Sequence, residues 1–111
     1  MSFERAFDEL EQATCPAEQF LCAYDLARSA ALAVVLAATR PRARWQLWQW
    51  LGRIAPELRE WAEYFAAHDE VAAVAQAGAT AMITQRQADD FERGVRKFTR
   101  ECAKRLGQAS A

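Results

Sequence analysis

Apolar residues recur at intervals of three and four along most of the chain, which is the spacing of one face of an α-helix. The clearest case lies near the C-terminus, where five apolar residues follow this spacing: Ala88, Phe91, Val95, Phe98 and Cys102. Thr84 and Gln87 precede them with the spacing of a capping box. We therefore expect a helix over residues 85–106, ended by Gly107, with its apolar residues in the core.

Two earlier helices are predicted in the first 40 residues. Phe3, Phe7 and Leu10 form one stripe, and Ser2 is a suitable N-cap, so the first helix is expected over residues 2–13. The second starts at Pro16 or Ala17 and ends before Pro41. Its stripe contains Phe20, Tyr24, Ala27, Ala31, Val34 and Ala38. Near its end the helix is apolar nearly all round, which predicts a central, buried position.

The middle of the chain predicts a short helix over residues 45–53 and a longer one from Pro56 to Gln76, with Gly78 as its stop signal. In the longer helix we expect a pause near His68 and Asp69, and Val71, Val74 and Ala75 facing inward. The sequence therefore predicts an all-α fold: an up-and-down four-helix bundle with one extra short helix, as a single domain spanning residues 1–111.

Composition supports this fold and excludes several classes of protein. There are 25 alanines but only 3 prolines and 4 glycines, which favours helices over a turn-rich β-fold. A net charge of −1 excludes a polycation. Three cysteines without a pairing pattern predict reduced thiols and a cytoplasmic protein. The longest nearly uncharged stretch, residues 29–39, is far shorter than a membrane span, so no membrane partner is expected.

The small net charge hides an uneven distribution. Residues 39–53 contain four arginines and no acid, next to three tryptophans. Arginine forks pair with phosphate, and an exposed indole stacks on a base, so this segment is the predicted nucleic-acid-binding site. Its candidate residues are Arg40, Arg42, Arg44, Trp45 and Arg53. Residues 85–111 carry a net charge of +3, which either extends this surface or is only the solvated side of the last helix.

Few residues offer catalytic or metal-binding chemistry. His68 is the one histidine, and a helical position beside aromatic residues is more typical of a boundary residue than of a catalyst. Cys15 and Cys22 lie seven positions apart, and the chain has no CxxC or HxxxH spacing. No glycine-rich phosphate loop is present. The sequence therefore predicts no metal and no cofactor.

Two segments resemble a small stand-alone bacterial branch of the HEPN superfamily, whose name stands for "higher eukaryotes and prokaryotes nucleotide-binding". They are residues 53–66, RIAPELREWAEYFA, and residues 84–91, TQRQADDF. The alanine-rich second helix followed by Arg40-Pro41-Arg42 is similar as well. The resemblance implies a helical bundle that is commonly a homodimer. It also implies either a metal-independent ribonuclease or toxin, or an inactive RNA-binding or interaction module.

Active members of this superfamily share an arginine, four to six further residues, and a histidine. Counting back from His68, that arginine would occupy position 61, 62 or 63, which are Trp, Ala and Glu in this chain. Eight residues separate Arg59 from His68, too many for the motif. We therefore expect a non-catalytic domain that binds RNA, a nucleotide or a protein partner as a homodimer, with tryptophan surface between the subunits. The alternatives are a ribonuclease with a divergent site built on His68, Arg59 and residues of the second subunit, and a purely structural assembly module.

Overall fold

A computed structural model describes residues 4–13, 15–40, 46–78 and 83–110, and these form helices and short connections without a β-strand. The five helices are α1 (Glu4–Glu11), α2 (Pro16–Ala38), α3 (Leu47–Ile54), α4 (Arg59–Gln76) and α5 (Gln85–Ser110). A single 3₁₀ turn, Pro56–Leu58, leads from α3 into α4. The all-α fold with one extra short helix is confirmed. The predicted N-cap, Ser2, lies outside the described residues.

Local signals in the sequence set three helix boundaries. Cys15 is the N-cap of α2: its backbone is extended, and its Sγ accepts the N–H of Glu18 at 3.4 Å. Before α5, the Thr84 Oγ1 accepts the backbone N–H of Gln87, and the side-chain Oε1 of Gln87 accepts the backbone N–H of Thr84. This is the predicted capping box. Gly78, two residues after α4, has φ of +103°, a conformation that favours glycine and ends the helix.

Three expectations about the later helices are wrong. Helix α4 runs through His68 without a pause, because residues 68–70 contain no proline or glycine and the backbone continues as one helix to Gln76. Val71 and Val74 are 42% and 39% exposed, because Ala72 and Ala75 occupy the face of α4 that meets the core. Helix α5 continues past Gly107 to Ser110. Glycine lowers helix propensity without forbidding a helical backbone.

A continuous cluster of aromatic rings fills the centre of the bundle. Phe91 stacks on Phe20 with ring centroids 4.1 Å apart, and Phe98 lies 4.8 Å from Phe65. The residues predicted to be buried are buried: Tyr24, Ala27, Ala31, Phe91, Val95, Phe98 and Cys102. The prediction for the end of α2 is wrong, since its last residues, 36–38, are exposed. Among the helices of the described residues, none buries that last turn.

One polar chain crosses this apolar centre. The indole Nε1–H of Trp48 donates to the Tyr24 hydroxyl at 3.2 Å, and that hydroxyl donates to the carboxylate of Asp69. Burial, followed by the bond to Asp69, raises the pKa of Tyr24 above its ordinary value. These two hydrogen bonds join α2, α3 and α4, and they give the buried indole N–H and the buried hydroxyl their partners.

The two ends of α5 are tied to different helices. Near its start, the Gln19 amide of α2 donates to Asp89 and Glu92, each at 3.0 Å. Near its end, Arg105 contacts Glu57 at 2.6 Å and donates to the carbonyl of Ile54 at 3.0 Å. Because Arg105 meets the start of α4 whereas Phe91 meets His68 farther along it, α4 and α5 are antiparallel.

By length and hydropathy, α2 as a whole is long and apolar enough to cross a bilayer, which the stretch 29–39 alone did not indicate. Half of its most apolar window is buried against the rest of the bundle. The central helix of a soluble bundle has the same properties.

Candidate nucleic-acid interface

Helices α3 and α4 border an open cleft of about 370 Å³. Arg53, in the last turn of α3, and Arg59, at the first position of α4, both line it. The turn between them, Pro56–Leu58, reverses the chain, so residues six positions apart meet at one cleft. The other lining residues are Gln46, Trp48, Gln49, Gly52, Ala62, Glu63 and Ala66. The cleft therefore combines two guanidinium groups with a carboxylate, amides and small side chains.

Contacts around the cleft hold both arginines in place while leaving them exposed. The Arg53 guanidinium lies 6.0 Å from the centre of the Trp50 ring. The stem of Arg59 passes close to Gly52: a Cβ added there would lie 3.8 Å from the Arg59 Cγ. Both guanidinium groups are exposed, so an anion can reach them with little desolvation of buried charge.

The turn between α3 and α4 is fixed from outside by Arg105. It bonds to the Ile54 carbonyl and to both carboxylate oxygens of Glu57. Hydrogen bonding from the Glu57 backbone, followed by the bond from Arg105, lowers the pKa of Glu57 below its ordinary value. The carboxylate therefore stays ionised, and Arg105 ties α5 to the turn that joins the two helices of the cleft.

The structure places some of the predicted binding residues and extends the set. Arg40 is exposed directly after α2. Arg42, Arg44 and Trp45 lie outside the described residues, but Gln46, which follows them in sequence, lines the cleft. Arg53 lines the cleft as well, so of the predicted binding residues that the structure describes, Arg53 is at the cleft and Arg40 is not among its lining residues. Arg59 and Glu63 were not predicted as binding residues; their spacing of four along one helix face was the available signal.

Comparison with known families decides what kind of domain carries this cleft. The model of the SAV_6107-like HEPN family matches residues 11–103, which is most of the chain. The chain belongs to this HEPN family. No curated protein and no solved structure gave a match. The resemblance found in the sequence is therefore confirmed for the family and for its helical fold.

In this HEPN domain the two candidate catalytic residues do not form one site. Arg59 and His68 are nine positions apart on α4, which places them about 13.5 Å apart along the axis and on opposite faces. His68 lines a separate cavity of about 230 Å³ with Phe20, Tyr64 and Phe91, and none of the cleft residues line that cavity. Its Nδ1 is 2.7 Å from the Tyr64 carbonyl oxygen, which only accepts, so Nδ1 carries the proton.

The basic residues of α5 are divided between ion pairs and solvent. Arg93 pairs with Asp90 at 3.0 Å, Arg96 pairs with Glu92 at 3.0 Å, and Arg105 is bound to Glu57. Within the described part of the chain, the other four basic residues of α5 are exposed and form no ion pair: Arg86, Lys97, Arg100 and Lys104. Three of the seven basic residues of this HEPN helix are thus paired with carboxylates, unlike Arg53 and Arg59.

Metal-binding groups do not gather in the described residues, where no three His, Cys, Asp or Glu side chains are placed to hold an ion. The three cysteines are free, and they differ in their exposure to solvent: Cys15 is exposed, Cys22 is half-buried and Cys102 is buried. Burial raises the pKa of Cys102 to about 12, so its thiol stays protonated at neutral pH.

Proposed function

We propose that this HEPN domain binds single-stranded RNA at the α3–α4 cleft and does not cleave it. The observation that carries the proposal is that Arg53 and Arg59, from two helices, line one open cleft. The arginine-rich segment 40–44 and Trp45 lead into this cleft along the sequence. Together they would supply phosphate contacts and an aromatic surface along a strand, which is how single strands are commonly bound.

The cleft is favoured over α5 because it brings unpaired arginines from two helices to one concave site, whereas the unpaired basic residues of α5 lie along a single exposed helix. Arg93, Arg96 and Arg105 already have carboxylate partners, so a phosphate would have to compete with those carboxylates. Arg53 and Arg59 have no ion pair among the described residues. An incoming phosphate therefore has no carboxylate partner to displace from them, while Glu63 in the same cleft offsets part of their charge.

The positions of Arg59 and His68 support a binding role without cleavage. General acid–base cleavage needs the phosphate-holding group and the proton-transferring group at one phosphate. These two side chains lie on opposite faces of α4, and His68 packs against Phe91 with ring centroids 5.2 Å apart. Positions 61–63, where the family's ribonuclease motif needs arginine, are Trp, Ala and Glu.

The binding test uses a short labelled single-stranded RNA of mixed sequence, followed by fluorescence anisotropy over a range of salt. The logarithm of affinity should fall with the logarithm of salt at a slope of about −2 to −3 if three or four arginines contact phosphates. Replacing Arg53 and Arg59 together by alanine should make this slope about 1.4 units shallower. Replacing Arg40, Arg42 and Arg44 together should remove most of the binding while the helical content is kept.

The matched control is the pair Lys97→Ala and Arg100→Ala, which removes the same charge from the exposed face of α5. It should weaken binding less than the cleft pair does. Absence of RNA binding at low salt, or equal effects of the two pairs, would contradict the proposed site. RNA that is cut during incubation, and is no longer cut with His68→Ala, would show that the domain is a nuclease instead.

We also infer that the domain acts as a homodimer, as the family resemblance implies. Three tryptophans pack within their own bundle: Trp48, Trp50 and Trp61. They therefore do not supply the tryptophan surface that we expected between the subunits. Light scattering should give a mass of twice 12.5 kDa. A single-chain mass at high protein concentration would contradict the homodimer without affecting the RNA test.

A further inference from the structure

One residue of the cleft has no role in binding phosphate. Glu63 lines the cleft beside Arg53 and Arg59, and its carboxylate repels the RNA backbone. It forms no ion pair with either arginine in the part of the chain that the structure describes. The charge of Glu63 is therefore not used to hold the arginines in place. A carboxylate in such a position is useful where the ligand presents N–H donors.

We propose that the cleft selects guanine, with Glu63 accepting the two adjacent N–H groups on the Watson–Crick edge of the base. Arg53 and Arg59 then hold the phosphates next to that nucleotide. This inference rests on the proposed RNA-binding function and adds the base that the cleft prefers.

The hydrogen-bonding edges of the four bases support guanine specifically. A carboxylate has two oxygens that only accept, so it matches an edge with two neighbouring donors. Guanine has such an edge, formed by its N1–H and N2–H groups. Adenine and cytosine each place an acceptor beside their amino donor, and uracil places carbonyl oxygens on both sides of its one N–H. Those acceptors would face an anionic oxygen of Glu63, which disfavours these three bases.

The shape of the cleft agrees with a planar base next to two cations. Gly52, Ala62 and Ala66 line it with small side chains, which leaves room for a ring system near the backbone. Its volume of about 370 Å³ falls within the range of small-ligand pockets. The cleft residues carry one net positive charge, from two arginines and one glutamate, which suits a base together with a phosphate.

The experiment compares two labelled RNA strands, an oligouridine with one central guanine and the same strand with one central adenine. The wild-type protein should bind the guanine strand about fivefold or more tightly, the lower end of what a bidentate contact contributes. Glu63→Gln should reduce this ratio to about one, because the carboxamide offers one donor and one acceptor. Binding of the adenine strand should not weaken, since the substitution removes a negative charge.

Glu60→Gln is the matched control, because Glu60 is exposed on α4 and does not line the cleft. It should leave the guanine-to-adenine ratio unchanged. If both strands bind equally to the wild-type protein, or if Glu63→Gln tightens both strands by the same factor, the guanine inference is wrong while RNA binding stands. If neither strand binds at low salt, the proposed function itself fails.

Discussion

Replacing Tyr24 by phenylalanine isolates the polar chain that crosses the core. The ring keeps its place against Phe91 and Trp48, but the hydroxyl that accepts the indole N–H and donates to Asp69 is lost. Asp69 is exposed and can bond to water instead. Trp48 is only 8% exposed, so its N–H is left without a partner in the core.

The size of the effect follows from that unsatisfied donor. A buried donor without an acceptor costs about 1–3 kcal/mol, and the lost bond to an exposed carboxylate adds little because water replaces it. Tyr24→Phe should therefore lower the free energy of unfolding by about 1–3 kcal/mol. For a domain of this size this shifts the urea midpoint by about 1–2 M, with an unchanged slope.

The second tyrosine of the chain provides the control. Tyr64 is 36% exposed, and its hydroxyl has no hydrogen-bond partner among the described residues. Tyr64→Phe should change the stability by less than about 0.5 kcal/mol. Urea unfolding followed by circular dichroism measures both variants. If Tyr24→Phe is as stable as the wild type, or if the two variants lose the same amount, the polar chain does not stabilise the bundle.

Two further predictions concern the buried face of α5. Phe98 is fully buried and packs against Trp61 and Phe65. Phe98→Ala should therefore lower the free energy of unfolding by about 3–5 kcal/mol, measured by thermal or urea unfolding. A melting temperature equal to that of the wild type would refute the assignment of Phe98 to the core. At mildly alkaline pH a thiol reagent should modify Cys15 quickly and Cys102 only after unfolding, because burial keeps the Cys102 thiol protonated. The pKa of Cys102 is raised from about 8.5 in the unfolded chain to about 12 in the folded protein. The stabilisation that comes from burying the protonated thiol is therefore complete below about pH 8.5. It is lost as the pH rises toward 12, because the unfolded chain releases this proton first.

The sequence correctly predicted the features that depend only on residues close together in the chain. The capping pair Thr84 and Gln87 lies within one turn, and the stripe from Phe91 to Phe98 lies on one helix, so spacing alone located both. The same reasoning failed at Val71 and Val74. In that half of α4 two neighbouring faces are apolar, and which of them faces the core depends on the packing of whole helices.

The candidate site was predicted only in part, for the same reason. The arginine-rich segment predicted Arg53 as a binding residue. That Arg53 and Arg59 line the same cleft depends on the 3₁₀ turn between α3 and α4, which the sequence spacing does not show. The bond between Tyr24 and Asp69 joins residues 45 positions apart, and no sequence spacing indicates it. Arg59 was considered only as a partner for His68, and the helical phase places these two side chains on opposite faces.

The attachment of Arg105 to the turn before α4 has a consequence for the order in which the protein folds. The side chain that braces the turn at Glu57 and Ile54 lies 48 and 51 positions farther along the chain. Helix α3 has only eight residues, too few to be stable alone in water. Contacts between residues so far apart in sequence form late, so the cleft reaches its final geometry only once α5 has packed on the bundle. A chain in which α5 has not yet packed would therefore expose its arginines without the geometry of the proposed binding site.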